Sequence, residues 1–197
     1  MFFGKIGLSA VLLFSSVFFQ ESADDVLKKV QDKFNSIDSF SADFSESQSS
    51  ANGVFYFKKE NRFKIITAKQ EITNNGSTIW NYDQKLNRVV INSVENESSS
   101  FSLRQYLFEY PEKCDVALID SKTLEKILQF TPHNDELGFS LAKIYIDENY
   151  LLRKIELDNG LDSQIKFEFK NINLDVDLSE EFFNFDPPQG SRIIDLR

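Results

Sequence analysis

The sequence predicts a mainly β fold with some α: one large curved antiparallel sheet and two amphipathic helices to cover its apolar side. Three observations predict it. Apolar and polar residues alternate in short segments from Phe40 to Phe169, the period of half-buried strands. Turn signals such as Asn52-Gly53, Asn74-Asn75-Gly76 and Asn159-Gly160 fall close together, whereas parallel strands would need long crossovers. Two stretches switch to the helical period, one before the first strand and one in mid-chain.

The elements follow in order. Lys5 precedes an apolar run from Ile6 to Phe19, too short for a comfortable membrane span and of the length of a signal-peptide core. Polar Gln20, Glu21 and Ser22 follow, then the small residue Ala23. The expected division is a secretory signal peptide over residues 1–23 and a single domain over 24–197. Val26, Val30, Phe34 and Ile37, widened by Leu27, form one helical stripe, with Ser22 and Asp24 as candidate caps. Strands are expected around Phe40–Phe44, Phe55–Phe57, Phe63–Thr67, Trp80–Tyr82 and Val89–Ile91. After the polar loop Glu95–Ser100, a second helix is expected from about Ser100 to Tyr110. Leu103, Tyr106, Leu107 and Tyr110 make its stripe and Pro111 stops it. Strands resume with Phe139, Leu141 and Tyr145 on one face, then Leu151–Leu157, then Ile165–Phe169.

Composition narrows the function. A chain of 197 residues suits one domain with a sizeable core. It carries 20 Phe against 6 Tyr and 1 Trp, so its aromatic surface is overwhelmingly without hydrogen-bonding handles. Such rings suit a sealed core or a cavity that stays apolar, and the residues alone leave both open. A net charge of −9 argues against a nucleic-acid partner, which phosphate neutralisation by Lys and Arg would require. The single cysteine, Cys114, forms no internal disulfide, and one Cys with one His is a poor supply of metal ligands. His133 sits in a turn-like stretch without a nucleophile motif nearby, and no glycine loop is built to cradle a phosphate. No catalytic residue, metal site or cofactor is expected; the chain reads as a non-enzyme.

Three motifs carry a resemblance. The first is Gly76-x-Thr78-Ile79-Trp80-x-Tyr82-Asp83 followed by Val89. The second is the aromatic strand Phe55-Tyr56-Phe57 leading into the basic turn Lys58-Lys59-x-Asn61-x-Phe63. The third is Phe183-x-Phe185-x-Pro187-Pro188-x-Gly190. Together, in this order, they resemble the outer-membrane lipoprotein carrier family LolA over essentially the whole chain after the signal segment. The resemblance implies an incomplete, unclosed antiparallel β-barrel of eleven strands with a helical lid, working as a monomer in the periplasm without a cofactor. Its interior would bind the acyl chains of lipoproteins, taken from an inner-membrane ABC lipoprotein-releasing complex and passed to an outer-membrane receptor or to the outer membrane itself. A related open-barrel carrier of free lipid, or a sensor of envelope lipoproteins, is the alternative. The candidate acyl-binding residues are Phe55, Phe57, Phe63, Trp80, Tyr82, Leu103, Leu107 and Phe167. Lys59 falls where the family places a lid-controlling arginine, because Lys58-Lys59-Glu60 replaces the family's Lys-Arg-Pro. Lysine cannot reproduce the guanidinium fork, so Arg62 is the candidate substitute.

Overall fold

The computed structural model describes residues 21–96, 102–119, 125–160 and 164–197. The apolar leader run and the first part of the expected second helix therefore lie outside the described residues. Helix α1 (Ala23–Ser36) starts at Ser22. The Ser22 hydroxyl accepts from the Asp25 backbone N–H at 3.1 Å, and the Asp25 carboxylate accepts from the Ser22 N–H at 3.2 Å, closing a capping box. Glu21, one residue earlier, is tied to three other elements of the fold: it pairs with Lys29 and Lys126 and accepts from the Tyr150 hydroxyl at 3.0 Å. Glu21, Ser22 and Ala23 thus pack with the folded unit.

The strands are β1 (Ser39–Glu46), β2 (Ala51–Lys58), β3 (Arg62–Thr67), β4 (Gln70–Asn74), β5 (Thr78–Asp83) and β6 (Arg88–Ser93), followed by β7 (Cys114–Ile119) and β8 (Lys126–Pro132). The rest are β9 (Leu141–Ile146), β10 (Leu152–Asp158), β11 (Gln164–Leu174) and β12 (Arg192–Asp195). They make one twelve-stranded sheet in the order β12-β6-β5-β4-β3-β2-β1-β11-β10-β9-β8-β7. Strands β7 and β12 lie at opposite ends of that order, so the sheet is open. Every neighbouring pair is antiparallel except β12 with β6, which is parallel. That pair accounts for a twelfth strand where eleven were expected. The chain reaches β12 by crossing the back of the sheet after β11, the long connection a parallel neighbour demands.

Asn52-Gly53 is not a turn. Both residues lie within β2, and Gly53 pairs with Phe44 on one side and Thr67 on the other. A Cβ on Gly53 would stand 1.9 Å from the Ile66 carbonyl oxygen, so the glycine serves close approach of β3. The chain turns earlier, at residues 47–50.

The two faces of the sheet are filled differently. The concave face carries the main core, where Val26 and Val30 of α1 meet Phe40, Phe44, Phe55, Phe57, Phe63, Phe169 and the aliphatic rows of β8–β10. In β9 that row is Ala142, Ile144 and Ile146, one residue out of phase with the expected Leu141 and Tyr145. On the convex side of β2–β6 lies a separate apolar layer, formed when the C-terminal segment folds back over the strands. Phe183 is fully buried there, the Phe182 ring meets Tyr56 at 4.9 Å, and the Phe185 ring meets Tyr82 at 5.6 Å. Glu180 fastens this segment through ion pairs with Lys58 and Arg62.

Candidate functional site

The concave wall is built from phenylalanines because four adjacent strands place every second residue inward. Register pairs Phe40 with Phe57, Phe57 with Phe63, and Phe44 with Phe169. The rings stay in contact: Phe40–Phe57 centroids are 5.3 Å apart, Phe55–Phe63 6.2 Å and Phe44–Phe167 6.1 Å. Phe34 of α1 lies 5.0 Å from Phe57 and so brings the helix onto this wall. Phenyl rings offer a broad apolar surface with little conformational freedom to lose on contact with a ligand.

A short helix closes the interior. It begins at Leu103 and Arg104 and widens into a π-type turn over Gln105–Glu109, shown by the Tyr110 N–H donating to the Gln105 carbonyl at 2.8 Å. It is shorter and wider than the regular helix expected up to Tyr110. Leu103, Tyr106 and Leu107 are seated in the interior, Leu107 at only 1% exposure. Burial pushes the Tyr106 phenol above its ordinary range, in keeping with a ring held in an apolar setting. Between this lid, α1 and the β10–β11 side of the sheet remains a crevice of about 30 Å³, lined by Phe34, Phe40, Leu107, Leu151 and Phe169 among others. That is room for two or three waters at about 10–15 Å³ each, so a long acyl chain fits under the lid only if the lid moves.

Among the described residues, a side-chain hydrogen bond ties the lid to α1. The Gln31 side-chain amide donates to the Leu107 carbonyl at 2.7 Å. A closed lid shields this carbonyl, and without Gln31 it would be left without that partner. Replacing Gln31 by Leu is therefore expected to cost the closed state about 1 kcal/mol. Stopped-flow uptake of a fluorescent acyl probe should quicken about fivefold, since 1.4 kcal/mol is tenfold. Unchanged uptake would show that this bond does not hold the lid.

A second space opens beyond the wall. A trough of about 440 Å³ lies over β1–β6 and β11, with Phe44, Phe63, Ile65, Ile72 and Phe167 on its floor and Glu46, Thr67, Gln70, Asn81 and Asn92 around them. The Gln70 amide donates to the Asn81 side-chain carbonyl at 2.6 Å within it. Its size is that of a small-ligand pocket, about 300–1,000 Å³. Phe44, Phe55 and Phe169 separate trough from crevice, with centroids 5.8 Å (Phe44–Phe169) and 5.5 Å (Phe55–Phe169) apart.

The structure brings Phe55, Phe57, Phe63, Leu103, Leu107 and Phe167 together on the concave side. It separates Trp80 and Tyr82 from them. Ile79 and Asn81 line the trough, so alternation turns Trp80 and Tyr82 to the convex face, where Tyr82 meets Phe185 and its hydroxyl pairs with Asn87 at 3.2 Å. The lid-control assignments also move. Lys59 pairs with Asp38 at 3.4 Å, and Arg62 is engaged by Glu60 and Glu180, and among the described residues neither bonds to the lid. The residue that does is Gln31, which stands beside the apolar stripe of α1 with no pattern in the sequence to mark it. Phe40, Phe44 and Phe169 also join the wall, and their alternation is visible in the sequence.

Comparison with known proteins gives this arrangement a context. Residues 35–186 match the sequence profile of the outer membrane lipoprotein carrier protein LolA. Outer-membrane lipoprotein carrier proteins of Francisella tularensis subsp. novicida and Francisella philomiragia are 28% and 29% identical to this chain, each alignment covering 97% of both partners. Among solved structures, an uncharacterized conserved protein from Thermus thermophilus superposes with a TM-score of 0.63 at 13% identity, covering 88% of this chain and 98% of its own. MucB superposes with a TM-score of 0.54 at 14% identity, covering 83% of this chain and 62% of its own. At such identities these two structures show a shared fold. The profile spans most of the chain, from the end of α1 to the segment behind the sheet, and this chain belongs to the LolA family of outer-membrane lipoprotein carriers.

Proposed function

We propose that this protein shields the acyl chains of lipoproteins during their passage through the periplasm. It takes them from an inner-membrane ABC-type releasing complex and hands them to an outer-membrane receptor or to that membrane directly. The observation that carries this reading is the phenylalanine wall behind a small lid that Gln31 ties to α1. A buried methylene is worth about 0.8 kcal/mol, so a dodecyl chain left in water costs on the order of 10 kcal/mol. The closed lid buries Leu103, Tyr106 and Leu107, at roughly 1.5–3 kcal/mol each. An acyl chain that displaces them recovers a comparable apolar contact, which keeps loading and release close to balanced. A carrier must release what it holds, so near-balance suits it better than tight capture.

Purified protein should hold a fluorescent acylated peptide in solution and pass it to liposomes. Mass spectrometry of material copurified from the periplasm should find acylated proteins. Recovery of free lipid alone would favour a carrier of free lipid, and failure to hold the peptide would refute the reading.

A further inference from the structure

The trough over β1–β6 and β11 is lined by strand residues and by Ser49 of the β1–β2 turn, and by none from α1 or the lid among the described residues. It therefore does not depend on where the lid stands. Phe44 belongs both to its floor and to the phenylalanine wall, so a lid that leaves the wall makes wall and trough neighbouring parts of one concave surface.

The polar groups of the trough are of one kind. Glu46 is tied to the β1–β2 turn, where its carboxylate accepts from the backbone N–H of Gln48 and, at 2.9 Å, from that of Ser49. No Lys or Arg stands among the described lining residues, so the trough is not built for an anionic group. What it presents beside its apolar floor is Ser49, Thr67 and the amides Gln70, Asn81 and Asn92. The half-buried side chains of Gln70 and Asn81 share one hydrogen bond, at 2.6 Å, and neither amide has a second side-chain bond among the described residues. Two amides joined by a single bond keep a carbonyl oxygen on one partner and N–H donors on the other, whichever way each is turned. Hydrocarbon laid over this pair would strand both kinds of group. A peptide unit supplies the matching N–H and C=O.

We infer that the trough receives the first peptide units of an acylated polypeptide while its acyl chain lies on the phenylalanine wall, with Gln70 and Asn81 bonding to the peptide group. This rests on the acyl-carrier reading and deepens it: the ligand class is a lipid-modified polypeptide in preference to a free lipid. The trough's volume of about 440 Å³ suits a short extended segment, and the rest of a folded cargo stays in solvent.

The test is displacement of a bound acyl fluorophore by three dodecanoyl ligands: an amidated serine tripeptide, the same peptide with its backbone N–H groups methylated, and the methyl ester. The peptide should bind about fivefold more tightly than the ester, the scale of one net hydrogen bond. N-methylation should bring that ratio to within about twofold in the unaltered protein. The double variant Gln70→Leu, Asn81→Leu removes both partners of one hydrogen bond together, which costs little stability. It should cancel the peptide's advantage and leave the ester unchanged. Equal displacement by peptide and ester in the unaltered protein, or an advantage that survives either change, would overturn the inference alone. Tighter binding of the ester by the double variant would give the trough to a second acyl chain and overturn it as well. If the double variant does not fold, the N-methylated peptide decides. If no ligand displaces the fluorophore, the acyl-carrier reading fails and the inference falls with it.

Discussion

Phe183→Ala is expected to lower the unfolding free energy by about 3 kcal/mol or more, the cost of removing a fully buried ring and leaving its cavity. The ring is the centre of the layer behind the sheet, where Leu178, Phe182 and Phe185 also pack onto the strands. Losing it should loosen the segment that Lys58 and Arg62 hold through Glu180. The phenylalanine wall faces the other way. Denaturant titration should thus show a lower midpoint, while the protein that remains folded binds an acyl probe as before. A matching loss of affinity at temperatures where the variant is fully folded would mean that the two faces are coupled.

Removing residues 21–23 is expected to cost about 2 kcal/mol, roughly half from the Ser22 cap and half from the Glu21 ion pairs. Glu21 joins the start of α1 to β8 and to the β9–β10 turn through Lys29, Lys126 and Tyr150. Hydrogen bonds from Lys126 and Lys29 hold its carboxyl down from its ordinary 4.5 to about 2. A carboxylate whose folded value is depressed adds stability above its unfolded value, and that stability fades as pH falls through the folded one. Glu21→Gln should therefore be less stable than the unaltered protein at pH 7, by about 1 kcal/mol. The gap should close between pH 4.5 and about 2. A gap that is constant across this range would place the effect in packing instead of charge.

Where strands are strongly alternating, the sequence reveals them: Phe40-x-Ala42-x-Phe44 and Ile165-x-Phe167-x-Phe169 lie in β1 and β11. Strands β4, β7, β8 and β12 are not legible in it. Gln70–Asn74 has one aliphatic residue, Ile72, and takes its strand form from partners on both sides. Arg192–Asp195 becomes a strand only because the C-terminal segment crosses the sheet and meets the edge of β6. Trp80 and Tyr82 show the same limit more sharply. Their alternation is real, but a sheet covered on both sides has two apolar faces, and period two does not say which one is the cavity. The misplaced turn at Asn52-Gly53 arises because one dipeptide serves two needs, positive backbone angles or absence of a Cβ, and only the neighbouring strand decides between them. Lid control is hidden for a related reason: a motif gives Lys59 its position, whereas the actual bond depends on how α1 lies against a π-type turn.

An acyl chain is expected to reach the phenylalanine wall only when the lid leaves it. Gln31 and Phe108 line one surface groove between α1 and the lid, so Gln31→Cys and Phe108→Cys, with Cys114→Ser, can be bridged there by a short bismaleimide. Binding of a fluorescent acyl probe is then measured for the bridged protein and for the same variant blocked with N-ethylmaleimide. Loss of binding in the bridged form, with binding kept in the blocked form, is the predicted result. Equal affinity in both would contradict the account and place the acyl chain in the open trough over β1–β6, with the lid as a fixed part of the core.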